Sequence, residues 1–248
     1  MQSVAPVIRD NHMAANTAYA HDRMEPVRRI LRFLMDNIAF RYLAKIDSVE
    51  GLENIPPQGA GIIYMNHTSL IDSVTVVNSV KRDVVPVARF DFGNVPIWGI
   101  FPRLWGAIPI KRGAVDRDAL EQAVRVLESG ELLLYLPEGT RRPAMGRAKD
   151  GMAYLAAQTG VSVIPAAVHG VEGFPSLSPK RWAKPGAQIR FGKPFCFRLP
   201  DGKVPREWLR KMTDEAMYRL AALLPPERRG VYADLALATS ETIKPSCP

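Results

Sequence analysis

Gly61-Ile62-Ile63-Tyr64-Met65-Asn66-His67-Thr68-Ser69-Leu70-Ile71-Asp72 is the stretch on which the fold turns. Its first residues, Gly61 to Met65, are apolar and β-prone, the pattern of a short buried strand. Val74-Thr75-Val76-Val77 begins the next element, so the strand hands over at Asn66-His67. On one continuous helix, residues five apart point about 140° away from each other. His67 and Asp72 therefore meet only if His67 lies in the turn before a helix and Asp72 in its first turn. Thr68 or Ser69 is placed to cap such a helix. The outcome is an imidazole at a loop tip with a carboxylate behind it, as in a general base and its orienting acid. A plainer reading stands beside it, because Ser69-x-x-Asp72 also fits a capping box that needs no catalysis.

Working outward, strand and helix patterns alternate. Strands are expected at 62–65, 84–88, 107–110, 132–136 and 163–168, and helices at 98–104, 116–128 and 150–158. Later strands are expected at 187–191 and 194–198, and a closing helix at 206–224. Alternation of this kind predicts an α/β fold: a mostly parallel or mixed central sheet flanked by helices. In such sheets ligands gather beyond the carboxyl ends of the strands, where His67 and Glu138 both fall.

Three further segments share the pattern of an apolar run ending in polar or cationic residues. They are Gly106-Ala107-Ile108-Pro109-Ile110-Lys111-Arg112, Leu132-Leu133-Leu134-Tyr135-Leu136-Pro137-Glu138-Gly139-Thr140-Arg141, and Val163-Ile164-Pro165-Ala166-Ala167-Val168. Together with Asn66-His67 and Asp72, and in this order, they resemble the four sequence blocks of the glycerolipid acyltransferase superfamily. The 1-acylglycerol-3-phosphate acyltransferases are the most similar type. The resemblance runs from about Val49 to Gly192. It departs from the family's usual pattern at Leu136 (commonly Phe), at Arg142-Pro143 and at Arg89 (commonly Lys).

The resemblance implies an O-acyltransferase that moves a fatty acyl group from an acyl thioester to the free hydroxyl of a lysophospholipid. Acyl-coenzyme A or an acyl carrier protein would be the donor and 1-acylglycerol-3-phosphate the first-choice acceptor. His67 and Asp72 would be catalytic. Glu138, Gly139, Thr140 and Arg141 would bind substrate, with Arg112 and Arg89 as companion cations on the acceptor phosphate. No cofactor and no metal is expected. The alternatives are a glycolipid or amino-lipid acceptor, or a non-catalytic lipid-binding protein. A serine hydrolase is disfavoured because there is no Gly-x-Ser-x-Gly elbow. His169, at the end of a strand pattern, has no acid close behind it and reads as structural.

The formal charge of +8 calls for an anionic partner. No zinc-finger spacing, basic zipper or RNP-like run points to nucleic acid, which leaves an anionic membrane surface or a phosphorylated substrate. No apolar stretch approaches the ~18 residues of a membrane span. Residues 26–46 form an amphipathic helix pattern, with Val27, Ile30, Leu31, Leu34, Ile38, Tyr42 and Ile46 at three-to-four spacing and Arg28, Arg29, Arg32, Arg41 and Lys45 among them. That helix either lies on anionic lipid or packs its apolar stripe on the core. Cys196 and Cys247 lack any Cys-x-x-Cys spacing and read as unpaired, which suits a reducing setting and a cytoplasmic enzyme at the inner face of the membrane. The expected organisation is a flexible N-terminus (1–25), the amphipathic helix (26–46), an acyltransferase α/β domain (47–225) and a C-terminal tail (226–248).

Overall fold

The computed structural model describes residues 21–88, 96–110, 116–245 and 247, with only the backbone described at 21–23 and 96–99. In chain order the elements are α1 (His21–Leu34), a π-helical stretch (Met35–Leu43), β1 (Ile46–Glu50), β2 (Gly61–Met65), α2 (Asp72–Ser79), β3 (Val84–Ala88) and α3 (Pro96–Trp105). There follow β4 (Ile108–Pro109), α4 (Arg117–Glu128), β5 (Leu132–Tyr135), α5 (Gly151–Thr159), β6 (Ser162–His169) and α6 (Pro179–Trp182). The chain closes with β7 (Ala187–Phe191), β8 (Cys196–Phe197), α7 (Arg206–Leu223), three short 3₁₀ turns and β9 (Ile243–Lys244).

The strands form a mixed sheet ordered β1-β7-β6-β2-β5-β3-β4. β6, β2, β5, β3 and β4 run parallel, while β7 is antiparallel to β6 and β1 is parallel to β7. The sheet is covered on both faces, which is why its strands read as continuous apolar runs. Along β2, Ile62 and Tyr64 enter a core with Met152, Phe195, Met212 and Leu220. Their neighbours Ile63 and Met65 enter the opposite core with Met35, Val76, Trp105 and Leu134. Successive side chains of a strand point to opposite faces, so every residue of β2 is buried. Tyr64 also donates its hydroxyl hydrogen to the Ala216 carbonyl at 2.7 Å, tying β2 to α7.

The N-terminal helix starts at His21 and contains Pro26. It passes into the π-helical stretch, which an i-to-i−5 bond closes from Ala44 N–H to the Ala39 carbonyl at 2.9 Å. Its inner face mixes arginines with apolar residues: Leu31, Met35 and Phe40 pack on the core beside Arg28 and Arg32. Arg28 is buried, with Nε donating to the Trp105 carbonyl at 2.9 Å and an ion pair to Asp83 at 3.4 Å. Arg32 pairs with Asp83 at 3.2 Å and donates to the carbonyls of Val80 and Arg82. Met35 lies on the same face and is also buried. Ile30, Phe33, Leu34, Ile38 and Tyr42 face outward instead, with Phe33 65 % exposed.

Two departures concern the C-terminal part of the chain. β8 does not extend the edge of the main sheet; it pairs antiparallel with β9, in the segment expected as a tail. That segment is docked. Glu215, 2 % exposed, accepts hydrogen bonds from Thr239 Oγ1, Glu241 N–H and both N–H and Oγ1 of Thr242. Docking brings Cys247 to Cys196, and the two form a disulfide across a sequence separation of 51. The reading of both as unpaired thiols is therefore corrected. It failed because the pairing depends on tertiary docking and leaves no local spacing to read.

Candidate active site

β2 lies at the centre of the sheet, and its carboxyl end is held by a side chain. Asn66, 2 % exposed, donates Nδ2–H to the Val168 carbonyl at 2.8 Å and accepts Val168 N–H at Oδ1, 2.9 Å. This pair adds a rung beyond the last backbone register of β2 with β6, which ends at Met65 and Ala166. The chain leaves the strand at a fixed point, and His67 follows. Asn66 was quoted in the sequence only as a neighbour of His67. The signal for its role is a lone Asn closing an all-apolar strand, a residue that would be costly to bury without partners.

His67 Nδ1 lies 3.2 Å from Asp72 Oδ2. A carboxylate only accepts, so Nδ1 carries the proton and Nε2 keeps its lone pair. Asp72 is fully buried and is the first residue of α2. Its Oδ2 also accepts Thr68 N–H at 2.6 Å and Ser69 N–H at 2.8 Å. The expected cap by a Thr68 or Ser69 side chain is not formed, and the helix is entered at Ile71 with no side-chain cap. One carboxylate instead shapes the turn and orients the imidazole, so the Asp72 half of the capping box and the His67–Asp72 contact are made by the same oxygen. The His67 side chain keeps 19 % of its surface exposed, enough to meet a substrate.

The second motif folds against the first through backbone. Arg142 N–H donates to the His67 carbonyl at 2.8 Å. Glu138, 6 % exposed, accepts Gly146 N–H at 2.7 Å and lies near the backbone N–H of His67. Burial pushes its carboxyl pKa up, against the pull of those two N–H groups and of nearby His67 and Arg142. Glu138 is thus buried and holds the 145–149 segment against its own turn. Gly139, Thr140 and Arg141 are exposed, and Gly139 sits at φ +65°, the left-handed region that suits glycine. The Arg141 side chain makes no hydrogen bond or ion pair among the described residues. Arg89 and Arg112 lie outside the described residues.

His169 ends β6, one strand away from His67. Burial depresses its pKa, and no carboxylate hydrogen-bonds it among the described residues. That agrees with a structural role. The arrangement at His67 is therefore a buried carboxylate, an oriented imidazole with a free Nε2, and an exposed guanidinium on the adjoining turn. It can take a proton from a hydroxyl and hold an anion beside it.

Comparison with known proteins agrees with this geometry. Residues 48–169 match the family model described as acyltransferase. The chain is 31% identical over 128 residues to a chloroplastic 1-acyl-sn-glycerol-3-phosphate acyltransferase of Arabidopsis thaliana, covering 50% of this chain and 36% of that protein. It is 29% identical over 196 residues to a 1-acyl-sn-glycerol-3-phosphate acyltransferase of Chlamydomonas reinhardtii, covering 76% of this chain and 56% of that one. The chain thus spans about a third to just over half of the length of these relatives. Among solved structures, the 1-acyl-sn-glycerophosphate acyltransferase PlsC from Thermotoga maritima superposes with a TM-score of 0.54 at 25% identity, covering 79% of this chain and 81% of that one.

Proposed function

Residues 48–169 form a domain of the acyltransferase family, and from that premise we propose that the protein transfers a fatty acyl group from an acyl thioester to the hydroxyl of a lysophospholipid, 1-acylglycerol-3-phosphate in the first place, giving phosphatidic acid. The observation that carries this reading is the oriented imidazole: Nδ1 bound to buried Asp72 at 3.2 Å, with Nε2 free. The relatives' names supply the acceptor class.

The chemistry follows from ordinary acidities. A lipid hydroxyl is far too weak an acid to attack a thioester near neutral pH without a base. An imidazole with a reference pKa of ~6.5 is suited to that task. His67 Nε2 takes the hydroxyl proton as the oxygen attacks the thioester carbonyl. Asp72 stabilises the imidazolium that forms. The tetrahedral intermediate collapses, the C–S bond breaks and the thiolate leaves. Its conjugate thiol has a pKa of ~8.5, so it departs with little help and then takes the proton back from His67. No acyl-enzyme and no bound cofactor is needed in this scheme. Either acyl-coenzyme A or an acyl carrier protein can present the thioester. The exposed Arg141 guanidinium offers a planar fork to the acceptor's phosphate.

The acceptor is a lipid, so the site works at a bilayer. No helix among the described residues is long and apolar enough to cross one. We assign the contact to the outward face of α1 and the π-helical stretch: Ile30, Phe33, Leu34, Ile38 and Tyr42. Ile100 and Leu104 of α3 are also exposed, and α3 is joined to α1 through Arg28 and the Trp105 carbonyl. Such a cluster marks an interaction face. Because Arg28 and Arg32 are engaged inside the protein, apolar insertion outweighs charge in this contact. The cytoplasmic side rests on unpaired cysteines, which this structure does not have; the proposal is therefore the anionic bilayer surface itself.

The test is thiol release from palmitoyl-coenzyme A and palmitoyl-acyl carrier protein across a panel of lysophospholipids. Preference for 1-acylglycerol-3-phosphate, lost in His67→Ala, is the expected result. A preference for a glycolipid acceptor, or no turnover with any acceptor, overturns it.

A further inference from the structure

The loop between β5 and α5 carries Arg141, Arg142, Arg147 and Lys149, all of them exposed. Among the described residues none of the four forms an ion pair. The one carboxylate at the end of this loop, Asp150, is taken by Arg210 at 2.9 Å. The loop is nevertheless well fixed. Lys149 N–H donates to the Pro137 carbonyl at 2.9 Å, Gly146 N–H to Glu138 at 2.7 Å, and Arg210 Nη1–H to the Ala148 carbonyl at 2.6 Å. These bonds fold the 145–149 segment back over the 137–142 turn.

Lys149 is the cation this folding brings onto the turn. Its Nζ lies 3.8 Å, and its Cε 3.9 Å, from the point where a Cβ on Gly139 would sit. The bare backbone of Gly139 leaves that space open beside the ammonium. An ammonium thus rests on the same exposed surface from which Arg141 projects, two residues further along the turn. A phosphate monoester carries about −1.5 to −2 charge at pH 7, which one guanidinium does not neutralise.

We propose that Lys149 is a second cationic arm for the acceptor's phosphate, completing with Arg141 a two-charge clamp over Gly139. The proposal rests on the acceptor reading above. The two arms differ in kind: Arg141 fixes two oxygens in its plane, and Lys149 supplies a point charge that a flexible stem can adjust. Nothing in the sequence spacing marks Lys149, because the loop from Arg142 to Ala148 separates it from Arg141.

Two measurements test this. The first is direct binding of glycerol 3-phosphate by calorimetry, which needs no acyl transfer. The parent protein binds it, K149Q binds about ten- to a hundredfold more weakly, and K149R recovers most of the loss. No binding by the parent, or equal binding by K149Q, overturns the clamp. The second is steady-state turnover. K149Q raises the KM for 1-acylglycerol-3-phosphate by a similar factor, with kcat and the KM for acyl-coenzyme A unchanged. A rise in the donor KM alone assigns Lys149 to the donor's phosphates, and loss of vesicle binding alone assigns it to bilayer head groups; either overturns the proposal. If the parent binds glycerol 3-phosphate but turns over no lysophospholipid, the enzymatic reading fails while the binding comparison still judges Lys149.

Discussion

The His67 carbonyl accepts Arg142 N–H at 2.8 Å, which bonds the backbone of the first motif to that of the second. The His67 loop and the Glu138–Arg142 turn are therefore joined, not two loops that happen to be near. A shift in either is felt by the other. Neighbouring residues of the turn differ, since Glu138 is buried and bonded to Gly146 N–H while Arg141 is exposed.

Glu138 should accordingly affect kcat and stability in opposite ways. Its folded pKa is raised, so the ionised form is disfavoured by folding. Its contribution to stability falls as pH rises from the unfolded value of 4.5 through the raised folded value. Glu138→Gln removes that dependence. The expected outcome is a variant whose unfolding free energy varies less with pH between about 4 and 8 than the parent's, alongside a lower kcat. Denaturant titrations across that range check the sign. A variant whose stability tracks the parent at every pH counts against it.

At Asp72 the two obvious substitutions should diverge. Donors from the His67 ring, the Thr68 N–H and hydroxyl, and the Ser69 N–H converge on Oδ2. Asn at this position can turn its carbonyl oxygen toward them and keep the turn, while losing the charge that supports the imidazolium. Asp72→Asn should stay folded and lose most turnover. Asp72→Ala leaves the N–H groups of Thr68 and Ser69 unpaired, at about 1–3 kcal/mol for each buried group. It should lower the melting temperature as well as activity. Equal melting temperatures for the two variants would count against this account.

His67→Ala is the cleaner catalytic probe. Among the described residues the ring bonds Asp72 alone, and the His67 carbonyl holds Arg142 N–H whatever the side chain. Activity should fall by ~10²–10⁴-fold, the usual contribution of a general base. Circular dichroism and the melting temperature should stay close to the parent's. Near-normal turnover in a folded variant sinks the mechanism.

The N-terminal helix offers a test that separates its inward arginines from its outward apolar surface. Phe33→Ser with Ile38→Ser removes outward apolar surface and should weaken co-sedimentation with anionic vesicles while leaving the fold intact. Arg28→Ala should instead unfold or strongly destabilise the protein. It takes the Nε donor from the Trp105 carbonyl and one of two arginines from Asp83, which Arg32 still pairs, and breaking a buried ion pair costs about 3–5 kcal/mol. Vesicle binding that survives Phe33→Ser and Ile38→Ser removes this face as the docking surface.

Much of this was legible in the sequence for reasons that can be named. β2, β3, β5 and β6 are apolar runs, and such runs stand out wherever they occur; β7 shows instead the alternation of a strand buried on one face. His67, Asp72 and the Glu138–Arg141 turn were legible as residues, although Glu138 proved to bind backbone. What escaped depends on distant partners. β1 reads as a loop because Asp47, Ser48 and Glu50 are polar; it is a strand because β7 gives it a ladder. The inward turn of Arg28 and Arg32 is invisible to periodicity, which counts apolar positions and cannot see Asp83 waiting opposite. The docking after Pro226 hangs on Glu215, one carboxylate within a long helix. Burial works to raise its pKa, but the hydrogen bonds from Thr239, Thr242 and Glu241 hold it below the usual value.

The edge of the sheet sets an order of events in the making of the protein. β1 finds its ladder only in β7, and Glu50 meets Arg190 across a separation of 140 residues. At the usual ribosomal pace of about 5–20 residues per second, that partner emerges roughly 7–30 s after β1 does. For that interval β1 is a strand with nothing to pair with, and α1 a helix without the Trp105 and Asp83 that anchor its arginines until those residues too have left the ribosome. β1 is therefore secured only after most of the sheet has been made, whereas α1 can be anchored as soon as Trp105 is out.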